Sequence, residues 1–330
     1  MIGFNMPQSS EDRSLEERVQ NGEIIEDPDE LTDEYKQLMV GMLQAAGNVE
    51  FMGAFSEGHW LQNTPDYQTK LAFNAKIQDE IGHAQMQWRV AESLGADRRE
   101  MIEKLMTGET TWGAPLHYPV EEWLDVVMVA LTIDTSASHI LHQLQQSSYG
   151  PLRRQMRRNC REEEFHTRWG QHMAAKHATG SKAQQEALQD AFERWWPRAV
   201  RFFGKFSQSD HIEDRLKELR IRPATSDEIR QNFFDNNVPT YRKLGLEIPD
   251  DKFRYDKEEE KWVFTAPDPN ENPHIVPAKQ LAQGNGPKTQ ERLEGRRRAF
   301  DAGQWVVDAM DAYAKQQAQN QAGNAPATGD

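Results

Sequence analysis

The 330-residue chain has a single cysteine, Cys160. A lone thiol excludes an internal disulfide framework, and it excludes an iron–sulfur cluster held by this chain alone. Cys160 reads as a helix-face residue rather than a reactive thiol. A Gly-x-Gly-x-x-Gly nucleotide fingerprint is also missing. Cations are outnumbered: Lys and Arg total 39 against 53 Asp and Glu, for a formal net charge of −14. An acidic surface argues against nucleic acid, which needs clustered Lys and Arg, and leaves a salty host or a basic protein partner open. There is no uninterrupted run of about 18 apolar residues, so no membrane contact is expected. The first twenty residues, MIGFNMPQSSEDRSLEERVQ, lack a basic region followed by an apolar core; a cytoplasmic protein is expected.

What is present is helical periodicity. Residues 1–30 are polar and acidic and read as a poorly ordered or partner-contacting arm. Five long helices follow within a bundle expected over 31–206. The first runs from about Asp33 to Phe55 behind Thr32 as N-cap, with Leu38, Met39, Met42, Leu43, Ala46 and Val49 at helical spacing. The second opens at Thr64-Pro65 and stops at Leu94-Gly95. The third spans about Pro119 to Ser148. After the turn Tyr149-Gly150-Pro151 the fourth continues to Thr179-Gly180. The fifth covers about Ser181 to Phe206 and carries Trp195-Trp196-Pro197, read as packing. An extension over 207–315 holds a helix near Ser226–Leu244, a short hairpin in which Phe253 and Tyr255 alternate as do Trp262 and Phe264, and a charged helix over about Thr289–Ala314. The tail 316–330 is low-complexity and expected to be disordered. The fold class is all-α.

Carboxylates stand where helices should be apolar. Asp134 lies in VVMVALTIDTSASHIL and Glu50 in MLQAAGNVEFMGAF. An isolated carboxylate there carries a large desolvation cost, so each should be paired or bound to metal. The second and fourth helices each carry Glu-x-x-His: Glu80 with His83, and Glu163 with His166. Positions i and i+3 share a helix face, so acid and imidazole converge. Each motif follows a single interior acid at a matched interval, Glu50 before Glu80 and Asp134 before Glu163. This is the ligand plan of diiron or dimanganese carboxylate bundles. Oxygen-rich ligands with two imidazoles suit iron or manganese better than zinc or copper(I). Asp79 and Glu162 immediately precede the two motif glutamates, and are expected to accept the outer N–H of the histidine in the opposite pair. Lys76, one turn before Glu80, and Glu57, seven residues after Glu50, face the same pocket; a salt bridge at its rim is the rival role for both. The remaining histidines have no matching partner.

Several runs resemble a known family. Lys76-Ile-Gln-Asp-Glu-Ile-Gly-His83, Ser148-Tyr-Gly-Pro151, Glu163-Glu-Phe-His166, Trp195-Trp-Pro197, Phe234-Asp-Asn-Asn-Val-Pro239, Gln290-Glu-Arg-Leu293 and Trp305-Val306 are similar to the catalytic A subunits of ring-1,2-phenylacetyl-CoA epoxidases, over roughly residues 25–315. The resemblance implies a ferritin-like bundle with a diiron centre. It implies epoxidation of the phenylacetyl-CoA ring by O2, with electrons from NADPH through a separate flavin and iron–sulfur reductase. It also implies two further subunits, one helical, related and metal-free, the other small, and it associates positions matching Lys76 and Glu57 with the active site. One position departs: six residues after the third-helix aspartate the family carries asparagine, and this chain has Ile140. An enzyme for another aromatic acyl-CoA, and a ferritin-like iron-oxidising protein, are the alternatives. A metal-free scaffold is disfavoured because all six ligand positions are filled.

Overall fold

The computed structural model describes residues 14–204, 206 and 211–323. Four long rods form the bundle: α2 (Asp33–Gly58), α3 (Tyr67–Ser93), a continuous rod over Trp123–Leu144, and α7 (Gly150–Ala178). A fifth helix, α8 (Lys182–Phe202), lies against the rod and α7. The architecture is all-α and ferritin-like, as expected.

Local chemistry sets the boundaries. Thr32 caps α2, accepting from the Tyr35 backbone N–H. Helix α3 starts two residues later than the Thr64-Pro65 signal suggested, because Asp66 supplies the cap and accepts from Thr69 N–H at 2.8 Å. Gly95 ends it with φ of +93°, a conformation glycine adopts without strain. A helix not anticipated from the sequence, α4 (Arg98–Thr107), follows; Asp97 caps it and Met101, Leu105 and Met106 are its buried face. Ser181 and Gln184 form a reciprocal capping box at the start of α8.

The third rod is not uniform. Helix α5 (Trp123–Met128) passes into a π-helical segment, Val129–Asp134, and then into α6 (Thr135–Leu144). Wider turns loosen the backbone ladder. Hydroxyls cover it: Thr132 donates to Met128 O at 2.7 Å, Thr135 to Leu131 O at 2.9 Å, and Tyr241 to the same Leu131 carbonyl at 3.1 Å. Gly170 of α7 allows close approach here, since a Cβ would lie 2.7 Å from the Leu131 nitrogen. The rod is also, among the described residues, the one helix with the length and composition of a membrane span. Trp123–Leu144 is long and apolar enough by length and composition to cross a membrane, but 72% of its most apolar window is buried inside the bundle. Its apolar surface is committed to the core.

Both chain ends depart from expectation. Residues 14–30 do not trail as an arm. Helix α1 (Leu15–Gln20) buries Val19, and Ile25 is buried with its N–H donating to Ser148 O at 2.8 Å. The few apolar residues in this acidic segment are enough to anchor it. Residues 1–13 lie outside the described part. In the extension, α9 (His211–Glu218) and α10 (Ser226–Lys243) precede an antiparallel hairpin of β1 (Arg254–Asp256) and β2 (Lys261–Val263), with Tyr255 opposite Trp262. Helix α10 packs Phe233, Phe234 and Tyr241 around Trp196, which confirms a packing role for the tryptophan pair. After α11 (Ala278–Ala282), α12 runs from Thr289 to Gly323, past the expected break at 315. The Ala- and Gln-rich sequence there is low in complexity but high in helix propensity. Residues 324–330 are not among those described.

Candidate metal centre

Each rod delivers its acids to one level of the bundle. Helix α2 brings Glu50 and, two turns on, Glu57. Helix α3 brings Lys76, Asp79, Glu80 and His83; the rod brings Asp134 at the end of its π segment; α7 brings Glu162, Glu163 and His166. The π segment matters, because widened turns reset the angular phase of Asp134 relative to the apolar face ahead of it. The six residues with ligand spacing, together with Glu57 and Lys76, are all buried at 7% exposure or less.

The geometry sorts them into two adjacent sets. Ligand atoms of Glu50, Glu80, His83 and Glu163 lie within 4.8 Å of one another, and so do those of Glu80, Asp134 and His166. Glu80 belongs to both. Glu163 also reaches across: its carboxylate oxygens lie 3.2 Å from His83 Nδ1 and 3.4 Å from His166 Nδ1. On their outer sides the imidazoles meet acids from the opposite helix. His83 Nε2 is 3.0 Å from Glu162, and His166 Nε2 is 3.4 Å from Asp79. An imidazole that donates outward through Nε2 presents an Nδ1 lone pair inward.

Electrostatics show how unusual this interior is. Burial, reinforced by neighbouring carboxylates, pushes Glu50 and Asp134 well above the usual carboxylate range. For Glu163, burial works the other way from the outcome; the imidazoles of His166 and His83 close to its oxygens hold its carboxyl below the usual range. Lys76 is raised despite burial, because Asp134, Glu57 and Glu80 surround it. Its ammonium sits 2.8 Å from Glu57, 2.9 Å from Glu80 and 3.0 Å from Asp134. These are the contacts of a buried ion pair, with Glu80 as the partner on α3. Five buried carboxylates face one lysine and two imidazoles; were all five ionised, negative charge would be in excess, and the upward shifts of Glu50 and Asp134 relieve it.

The donor set fits a pair of divalent ions. Buried His83 Nδ1, His166 Nδ1 and Glu163 Oε2 make no hydrogen bond of good geometry, although they point at one another's neighbourhood. Orphaned buried atoms of this kind are costly unless a ligand satisfies them. Carboxylate oxygens with two imidazole nitrogens, and no thiolate, suit iron or manganese.

Sequence reasoning missed one member. Gln87 is fully buried and donates from Nε2 to Glu50 Oε1 at 3.2 Å. The signal was available: Gln87 lies seven residues beyond Glu80 and four beyond His83, on the ligand face. Missed too were the cavities, which no pattern in one chain reveals. A void of about 20 Å³ touches Glu50, Glu57, Glu80, Asp134 and Glu163. Beside it lies a largely apolar cavity of about 330 Å³, lined by Met42, Ala46, Trp112, Ile140 and Leu141 among others. The two share Val49, Glu50, Ala137 and Phe202 as lining. Two of the other histidines make packing contacts away from the centre. His117 stacks on Trp112 and bonds Thr289 at 2.7 Å, and His139 contacts Asn237 at 2.9 Å.

Fold and site together define a ferritin-like carboxylate bundle with a buried acid–histidine centre. A family profile described as phenylacetic acid catabolic protein matches residues 6–305. The chain is also 32% identical to the A subunit of 1,2-phenylacetyl-CoA epoxidase from Escherichia coli (strain K12), over 308 residues, which is 93% of this chain and 98% of that protein. The chain belongs to the phenylacetic acid catabolic protein family.

Proposed function

We propose that this chain is the catalytic subunit of a multicomponent monooxygenase that epoxidises the aromatic ring of phenylacetyl-CoA, with two iron ions held by Glu50, Glu80, His83, Asp134, Glu163 and His166. The observation that carries the reading is the convergence of both Glu-x-x-His motifs and both single acids on one buried point, with two imidazole nitrogens facing inward. The Escherichia coli epoxidase supplies the substrate class. When bound, the irons supply O2 activation: one oxygen atom enters the ring, the other leaves as water, and NADPH provides the two electrons through a separate flavin and iron–sulfur reductase.

The chain's own residues do the rest. Asp79 and Glu162 fix the tautomer and plane of the two histidines. Lys76 holds Glu57, Glu80 and Asp134 in place and offsets part of their charge. The apolar cavity beside Glu50 seats the aromatic ring and keeps water from the reacting carbons, and Ile140 gives its wall an apolar surface where a polar one would hold water. The CoA moiety lies outside the cavity, so binding energy remote from the ring can position it. Two further subunits, one helical, related and metal-free, the other small, complete the complex.

The test is a reconstituted assay. The chain with its companion subunits and reductase should bind close to two irons and consume phenylacetyl-CoA in an NADPH- and O2-dependent way, faster than other aryl-CoA esters. Full activity without iron sinks the metal assignment; preference for a different aryl-CoA ester sinks the substrate assignment alone.

A further inference from the structure

The outer surface of the α3–α7 pair carries features the proposed chemistry does not use. A groove of about 530 Å³ runs between the C-terminal half of α3 and the N-terminal half of α7, lined by Gly82, Met86, Arg89, Pro151, Gln155 and Arg158 among others. Its charge is opposite to that of the chain. Arg89 and Arg158, both exposed, line it, with no acid among its lining residues, on a protein whose formal net charge is −14. Glu162, the acid one turn beyond Arg158, is already engaged by it. Apolar surface adjoins the basic residues: Ile81, next to Gly82, is 49% exposed and Phe165 is 38% exposed.

The groove is also wired to the interior. Arg158 Nε donates to Glu162 Oε1 at 2.7 Å, and the other oxygen of the same carboxylate lies 3.0 Å from His83 Nε2. Two hydrogen bonds thus join an exposed guanidinium to an imidazole of the buried centre. The cavity on the other side of the centre is, by contrast, largely apolar. The chain carries no electron carrier of its own in its sequence, having one cysteine and no nucleotide fingerprint, so reducing equivalents must arrive through a surface.

We propose that this groove is the docking surface for an acidic face of the electron-donating protein, with Arg158, Glu162 and His83 forming the contact between that surface and the metal centre. The proposal rests on the diiron reading above. Each encounter oxidises the donor by one electron and reduces the centre by one; two encounters, with two protons from solvent, supply what the release of one water consumes. A few arginines around small apolar contacts suit a short-lived complex, in which charge raises the encounter rate more than the lifetime. Interfaces of electron-transfer partners are correspondingly small.

The experiment measures binding of the purified flavin and iron–sulfur reductase to the intact complex, as a Kd at several salt concentrations, for the wild type and for Arg158→Glu and Arg89→Glu. Iron content is measured in parallel. Arg89→Glu is the second variant because it changes groove charge without touching Glu162. Both should weaken reductase binding at least tenfold at low salt and flatten its salt dependence, with aryl-CoA binding and iron content unchanged in Arg89→Glu. If both variants bind reductase as the wild type does, the groove is not the docking surface. It is excluded equally if they release a companion subunit instead. If the wild type itself holds no iron, the metal reading fails first.

Discussion

The Lys76 ammonium and the Glu57 carboxylate lie 2.8 Å apart, and each side chain is only 1% exposed. Glu80 and Asp134 complete the lysine's shell. Removing one partner from a buried pair leaves a charge with no compensation, which costs on the order of 3 kcal/mol. Lys76→Gln should therefore lower the melting temperature of the metal-free protein clearly, while the iron-loaded protein, whose carboxylates have cations to face, loses less. Turnover should fall at least tenfold, on the order of 1.4 kcal/mol of transition-state stabilisation. Melting curves with and without iron, beside the rate, check this. Unchanged turnover would remove Lys76 from the working site.

Glu80 stands apart from the other ligand-spaced residues because it belongs to both sets. Glu80→Ala should lose most of both irons. Asp134→Ala and His83→Ala should each deplete one position more than the other, leaving nearer one iron per chain. Metal analysis of the three purified variants decides; a full complement in Glu80→Ala contradicts the shared position.

The apolar cavity gives a separable prediction. Ala46 lines it and is not among the ligand-spaced residues. Ala46→Phe adds bulk where the ring should sit. Iron content should stay near that of the wild type while KM for phenylacetyl-CoA rises several-fold or turnover is lost. Normal kinetics with the cavity filled would place the ring elsewhere.

A fourth expectation concerns acid. Burial, with the charge of Arg292 adding to it, pushes His117 down to about 4. A histidine whose folded value is depressed is held neutral, so its contribution is present above the unfolded value near 6.5 and is lost as pH falls towards 4. His117 links the loop before the third rod to α12 through Thr289. The protein should lose stability between about pH 6.5 and 4, by on the order of 3 kcal/mol from this group. His139, also depressed to about 4 by burial, adds to the same slope. His117→Gln should flatten melting temperature against pH over that window; an unaltered slope would assign the acid sensitivity to other groups.

The convergence of the six candidate ligands was legible in the sequence because helix geometry is local. Once Glu80 and His83 are three apart on a helix, their convergence needs no tertiary information, and an acid such as Glu50 or Asp134 amid apolar residues announces its own burial cost. Thr32 as a cap, the Gly95 stop and the short hairpin around Tyr255 and Trp262 were equally local. By itself the sequence determined an all-α chain with two matched helix pairs and six candidate ligands.

Other features depended on neighbours distant in the chain. The π segment before Asp134 exists because hydroxyls, including that of Tyr241 more than a hundred residues away, satisfy its loosened carbonyls. Residues 14–30 look like a loose tail until Val19 and Ile25 find the core. The rod Trp123–Leu144 is apolar enough for a membrane until α7 and α8 cover it. Lys76 could be placed on the ligand face from the sequence, but its choice of Glu57, Glu80 and Asp134 required three helices at fixed distances. Cavities and grooves are the limiting case: they are spaces between elements, set by how helices pack, and no single stretch of chain encodes them.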